Sequence, residues 1–139
     1  MTVAELMRTD VVTVTPETPV TDVATTIRDE NVGSAVVVEA NRPIGIVTDR
    51  DIAIRIAADN LDPTQMTAGD MMTEDPTTVD VDAGIMDLCR AMSDAGVRRM
   101  PVVEGSELAG IVSLDDLTVL LATEMGNLSR VIEAESPPY

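Results

Sequence analysis

The sequence predicts an α/β (α+β) fold: two pseudo-symmetric β-α-β-β-α units packed sheet to sheet. Three observations carry that prediction. "GIVTDRD" (Gly45–Asp51) recurs 65 residues later as "GIVSLDD" (Gly110–Asp116). The same offset aligns the rest of the two halves without a gap, setting "ELMRTDVVTV" (Glu5–Val14) on "DMMTEDPTTV" (Asp70–Val79) and "AVVVE" (Ala35–Glu39) on "MPVVE" (Met100–Glu104). Within each half the apolar period changes in the same order, from helical spacing to β-branched runs. A repeat present only twice excludes a solenoid and implies a pseudo-two-fold pair.

Each half opens with a short segment, "VAELM" or "AGDMM", then an extended stretch holding Pro16 and Pro19 or Pro76. Val20, Val23, Ala24 and Ile27 recur at helical spacing, as do Ile85, Leu88 and Met92. These helices are expected to end near Asn31–Gly33 and Gly96. The runs Ala35–Val38 and Met100–Val103 follow, then the turns "EANRP" and "EGSEL", then Ile44–Thr48 and Ala109–Ser113, which reads as one hairpin per half. Each motif launches a helix, Asp49–Ala58 in the first half and Leu114 to about Glu124 in the second. The expected organisation is repeat 1 at 1–60, a linker at 61–67, repeat 2 at 68–125 and a polar tail at 126–139 that frays. Neither half covers both faces of so small a sheet, so the two should fold together.

Composition narrows the function classes. Net charge is −16, and all nine basic residues are Arg. Such a surface repels nucleic acid and anionic membranes, so neither is expected as a partner. Lys-free acidic composition with small aliphatics is similar to that of proteins from salt-loaded, halophilic cytoplasm. At about 1 M salt the Debye length is only ~3 Å, so self-repulsion there is weak. No apolar run approaches the ~18 residues of a membrane span, and the N-terminus lacks a signal core; a soluble, cytoplasmic protein is expected. With no His and a single cysteine, Cys89, there is no disulfide framework, cysteine-pair zinc cluster or His-based acid–base. Cys89 sits beside an apolar helical stripe and reads as a small core residue. Met7, Met71, Met72, Met92 and Met100 read as core or interface fillers. No nucleophile–base pair, metal-ligand cluster or phosphate-cradling Gly loop is present, so catalysis is not expected.

The two motifs admit two readings. Thr48-x-x-Asp51 and Ser113-x-x-Asp116 are helix N-cap signatures that need no ligand. They also place a hydroxyl where helix-terminal N–H groups can meet a phosphate, and a carboxylate that can accept from a vicinal diol. Gly45 and Gly110 add the possibility of close backbone approach.

These residues carry a resemblance. The pattern G-h-x-[ST]-x-x-D, matched by Gly45, Ile46, Thr48, Asp51 and by Gly110, Ile111, Ser113, Asp116 within a duplicated β-α-β-β-α unit, resembles a tandem pair of CBS domains, a Bateman module. The resemblance implies two clefts between the halves, each able to take an adenosine-type ligand such as AMP, ADP, ATP or S-adenosylmethionine. The Asp would hold the ribose, the Ser/Thr would lie near ribose or phosphate, and apolar residues of both halves would flank the base. Carried over by position, the Asp51 cleft takes Ile46, Thr48 and Arg50 from its own half and Met72, Thr77, Val97 and Arg98 from the other. The Asp116 cleft takes Ile111, Ser113 and Asp115, with Met7, Val12, Val32 and Gly33 opposite. Arg98 and Arg99 match basic positions that meet phosphates in members of the family. The corresponding first-half pair is Gly33 and Ser34. A nucleotide is therefore expected at Asp51, and at most a nucleoside or sulfonium ligand at Asp116, where Asp115 repels phosphate. Equally, Arg98 and Arg99 can pair with surface acids.

The resemblance further implies a flat, disc-like homodimer burying the helices after the motifs, whose faces Ile52–Ile56 and Leu117–Leu121 also fit an internal core. Two functions stay open. One is a stand-alone regulatory module that binds an adenosine-type ligand and signals to an unknown protein target by conformational or dimer rearrangement. The other is a ligand-independent dimerisation or partner-docking module.

Overall fold

A computed structural model describes residues 1–137; Pro138 and Tyr139, the end of the tail expected to fray, lie outside the described residues. The elements run α1 (Val3–Leu6), β1 (Thr13–Val14), α2 (Val20–Asp29), β2 (Ser34–Glu39), β3 (Arg42–Thr48) and α3 (Asp49–Ala58). After a 3₁₀ turn at Pro63–Gln65 come α4 (Ala68–Met71), β4 (Thr73–Glu74), β5 (Val79–Asp80), α5 (Ile85–Ala95), β6 (Arg99–Glu104), β7 (Glu107–Ser113) and α6 (Leu114–Glu135). The repeat is explicit in the pairing. β1 runs parallel to β2 and β5 to β6, while β2–β3 and β6–β7 are antiparallel hairpins with a register shift at equivalent points, Val37/Val38 and Val102/Val103. The first hairpin turns through Ala40 and Asn41, both at positive φ, the twist a two-residue hairpin loop requires.

Strand period decides which side chains face where. Ala35, Val37 and Val47 point to one side of the first sheet and pack with Val20, Val23 and Ile27 of α2. Met100, Val102 and Val112 do the same in the second sheet with Leu88 and Met92 of α5 and Leu117 of α6. The alternate positions, Val36 paired with Ile46 and Pro101 paired with Ile111, belong to neither helix-facing core. Val36 and Pro101 are nonetheless fully buried, because these faces meet between the halves. Asn41 O accepts from Leu108 N–H across that boundary at 2.9 Å.

The opening segments are exchanged. Val3 of α1 is fully buried in the second half's core, whereas Ala68 and Met71 of α4 lie in the first half's core. β4 adds to the first sheet beside β3, and Arg8 makes the equivalent antiparallel bridge to Ile111 on β7. Arg55 of α3 clamps the crossing by donating to the carbonyls of Asp70 and Met71 at 3.3 and 3.2 Å. The units that are contiguous in sequence are thus interlocked in space.

This exchange accounts for the motif glycines. A Cβ on Gly45 would lie 2.8 and 2.9 Å from Met72 Cγ and Cβ, and one on Gly110 would lie 2.7 Å from both Arg8 O and Met7 Sδ. Each glycine makes room for the other half's opening segment. Gly110→Ala therefore overpacks a backbone contact and should cost about 1–3 kcal/mol. Differential scanning calorimetry should record a melting point several degrees lower, and an unchanged one would refute the crossing as described.

The helix faces left open by the sequence divide. Ile52 and Ile56 pack against the first core and Leu117 is buried in the second, while Ile54 and Leu121 are exposed. Met71, Met92 and Met100 are buried, and Met7, Met72 and Cys89 pack at the core margins. One expectation needs correction: the last helix does not end near Glu124 but continues to Glu135, taking in most of the stretch expected to fray.

Candidate ligand-binding clefts

Each hairpin ends where its motif begins a helix. Thr48 is extended (φ −105°, ψ 158°) and its side chain accepts from Asp51 N–H at 3.1 Å, while Asp51 Oδ2 accepts from Thr48 N–H at 3.1 Å. Ser113 and Asp116 repeat this reciprocal cap at 3.2 and 3.0 Å, with a further Ser113 hydroxyl donation to Asp116 Oδ2 at 2.9 Å. The capping reading holds at both motifs, each satisfying two otherwise unpaired N–H groups.

What differs is the remaining carboxylate oxygen. Asp51 Oδ1 accepts no hydrogen bond among the described residues. Asp116 Oδ1 is taken by Arg8, whose Nη2 and Nε approach to 2.9 and 3.2 Å. The Asp116 side chain is 12% exposed. Burial, the largest single influence, pushes its pKa up, yet the bonds from Arg8 and Ser113 together with the Arg8 charge hold it below its ordinary 3.8. Arg8 is correspondingly raised, by its hydrogen bond to Asp116 and then by that carboxylate's charge. Since Asp116 is more acidic folded than unfolded, its ionisation stabilises the fold above the unfolded pKa, and that contribution disappears as pH falls through the depressed folded value. Arg8→Ala should therefore lessen the loss of stability below about pH 4. Chemical denaturation across that range reads the change, and identical acid limbs for the two proteins would refute it.

The surroundings differ too. The Asp51 cleft, about 410 Å³, gathers Ile46, Thr48, Arg50 and Asp51 with Thr77, Val97, Arg98 and Arg99 of the second half. Thr73, Asp75, Pro76, Ala95 and Pro101 complete its wall. Arg50 and Arg98 thus border it together with the carboxylates of Asp51 and Asp75, while Arg99 directs its guanidinium to Gly33 on the other side. Arg50 makes no ion pair among the described residues, and Arg98 only a long one, 3.8 Å to Asp115 with both side chains exposed. Such a pair is worth ~0–1 kcal/mol and leaves Arg98 available. Met72, expected here, lies behind the floor against Gly45, and Thr73 stands beside the cleft instead.

On the other side Arg8 borders two depressions. One, of about 500 Å³, holds Met7, Val12, Val32 and Ile111; the other, of about 220 Å³, holds Val32, Gly33, Ile111, Ser113, Asp115 and Asp116. Arg99 also borders the smaller one, its guanidinium lying on Gly33. Arg8 was not among the expected site residues. The signal for it was present: it stands 65 residues before Thr73, and the glycine facing it marks a crossing backbone.

Two interlocked repeats, each presenting a hydroxyl–aspartate cap to a cleft bounded by its partner repeat, define a paired-repeat module. The CBS-domain family model matches residues 3–58 and 68–123, and the chain belongs to that family. A relative, protein MK0525 of Methanopyrus kandleri, is 34% identical over 119 residues, which are 84% of this chain and 61% of that protein. The chain thus spans less than two thirds of that relative's length. The structure of Hypoxic Response Protein I, solved with two coordinated zinc ions, matches at 32% identity and TM-score 0.76, covering 85% of this chain and 97% of that one; a protein of the same name occurs in Mycobacterium tuberculosis. The CBS pair of protein MJ0100, solved with 5′-methylthioadenosine and S-adenosyl-L-methionine, shares the fold at TM-score 0.80 and 21% identity, over 89% and 98% of the two chains. No helix among the described residues is long and apolar enough to cross a membrane.

Proposed function

We propose that the protein is a regulatory CBS pair that takes one adenosine-type ligand, a nucleotide, in the Asp51 cleft. The observation that carries this reading is the unshared Asp51 Oδ1, set at a helix start in a cleft that Arg50 and Arg98 line. A ribose diol donates to the carboxylate, the guanidiniums neutralise phosphate, and Ile46, Val97 and Pro101 flank the base. With no aromatic ring beside the cleft among the described residues the base rests on aliphatics, so affinity is modest. Binding across the two halves biases their relative angle, or that of two copies, by as much as the ligand prefers one state. This is signalling without catalysis in a cytoplasmic protein of a salt-rich cell.

A thermal-shift screen at about 1 M salt with AMP, ADP, ATP and S-adenosylmethionine tests the reading. At a hundred times the dissociation constant a ligand adds about 2.7 kcal/mol to stability, a rise of several degrees. No shift with any of the four at millimolar concentration would favour the second reading, a ligand-independent dimerisation or docking module. The self-satisfied caps at both motifs support that alternative.

A further inference from the structure

Where the two halves meet, one guanidinium stands in the seam. Ala35 and Val37 point into the first helix-facing core, so by strand alternation Ser34 and Val36 face the other half. Met100 and Val102 likewise leave Arg99 and Pro101 facing across. Ser34 and Arg99 are 65 residues apart, the repeat offset, so they hold equivalent places on the two sides of the pseudo-two-fold axis. One place carries an arginine and the other a serine. Arg99 leans across onto Gly33, where an added Cβ would collide with its Nη2 and lie 3.0 Å from its Cζ. Gly33 and the small Ser34 leave the room that this single guanidinium uses.

Arg99 is half-buried and makes no ion pair among the described residues. The acids that border the same hollow are engaged elsewhere. Asp116 gives Oδ1 to Arg8 and Oδ2 to Ser113, and Asp115 turns outward to Arg98 at 3.8 Å. Ser34 is only 7% exposed, and its hydroxyl makes no hydrogen bond to any described residue. No fully enclosed polar side-chain atom among the described residues lacks a partner, so this hydroxyl opens into the hollow. A charge drawn partly out of water is costly unless something compensates it, and here an acid of the chain does not.

We propose that a monovalent, halide-sized anion, chloride under salt-rich conditions, completes this seam. Arg99 and the Ser34 hydroxyl hold it in the hollow of about 220 Å³. The charge count selects the ion. Arg8 and Asp116 cancel each other, which leaves one guanidinium with Asp115 at the rim. A multivalent oxyanion would meet those carboxylates with a single compensating charge, whereas a halide is matched by Arg99 alone. The net charge of −16 repels anions in dilute buffer. At about 1 M salt the Debye length of ~3 Å removes most of that repulsion, so occupancy rises with salt. Contact between the halves thereby depends on which anion is present as well as on ionic strength. The site is separate from the nucleotide reading and stands whether or not the Asp51 cleft fills.

Bromide, a halide visible by anomalous diffraction, tests this on the wild-type protein. Crystals equilibrated in about 1 M sodium bromide should show an anomalous peak within about 3.5 Å of both an Arg99 nitrogen and Ser34 Oγ. A map without a peak at that place would overturn the proposal. In solution, with nucleotide left out, the wild type should broaden the chloride NMR line. Arg99→Gln should lower that broadening roughly tenfold and Ser34→Ala roughly threefold, as expected for losing a charged and a neutral hydrogen bond. Arg99→Lys, which keeps the charge, should retain most of it, and circular dichroism melts check that each variant is folded. Equal broadening by wild type and folded Arg99→Gln would contradict the assignment. So would loss of the broadening on adding inorganic phosphate at about 1 mM, since a halide site of one guanidinium should not prefer a multivalent oxyanion.

Discussion

Asp51→Asn should weaken AMP binding roughly 100-fold or more while leaving the start of α3 in place. The carboxylate has two tasks: Oδ2 caps Thr48 N–H, and Oδ1 is open to the cleft. An asparagine oxygen can still accept from Thr48 N–H, so the cap survives. What it cannot do is accept two charge-assisted bonds from a diol, each worth about 1.5–3 kcal/mol, where each 1.4 kcal/mol is a factor of ten. Calorimetric titration separates the tasks when paired with the melting point of the free protein. Asp116→Asn should leave AMP affinity unaltered, because its Oδ1 is already engaged by Arg8. Equal losses from the two substitutions would remove the asymmetry between the clefts.

The second large effect is a gain. Arg8→Ala should create a second binding event for S-adenosylmethionine, raising the stoichiometry from one to two per chain. Arg8 lies on the boundary of both depressions of the Asp116 cleft, and its guanidinium occupies the oxygen a ribose would use. Removing it joins the apolar floor of Met7, Val12, Val32 and Ile111 to a free carboxylate. Asp115 and the Arg99 guanidinium both border that cleft, so parallel titrations with S-adenosylmethionine and AMP show which ligand charge the opened site favours. Because Arg8 is largely exposed and Asp116 keeps its two Ser113 donors, the substitution should cost only about 1 kcal/mol of stability. A stoichiometry unchanged at one would mean that the second cleft is closed by more than this ion pair.

Much of this architecture is legible in the sequence because it is local or periodic. The 65-residue offset, the alternation in the two hairpins and the hydroxyl–aspartate caps all reappear at the positions that patterning alone gives. The exchange of α1 and α4 is not legible, since a four-residue apolar segment fits either core and only tertiary packing chooses. Gly45 and Gly110 carried the clue, but a strand glycine is equally compatible with a bulge or a ligand contact. The same blindness hid Arg8, whose partner is 108 residues away, and displaced Met72 to the reverse side of the cleft floor. The end of α6 was misplaced for another reason: a polar composition after Gly126 reads as a tail unless Leu128 and Ile132 are taken as continuing the helical spacing of Leu121 and Met125.

A crystal structure grown at high salt with AMP decides whether an adenosine-type ligand sits in the Asp51 cleft. Ribose hydroxyls should lie within hydrogen-bond distance of Asp51 Oδ1, phosphate should lie beside Arg50 or Arg98, and Arg8 should remain bound to Asp116. AMP density in the Asp116 cleft with the Asp51 cleft empty, or no density in either at millimolar ligand, would contradict that placement.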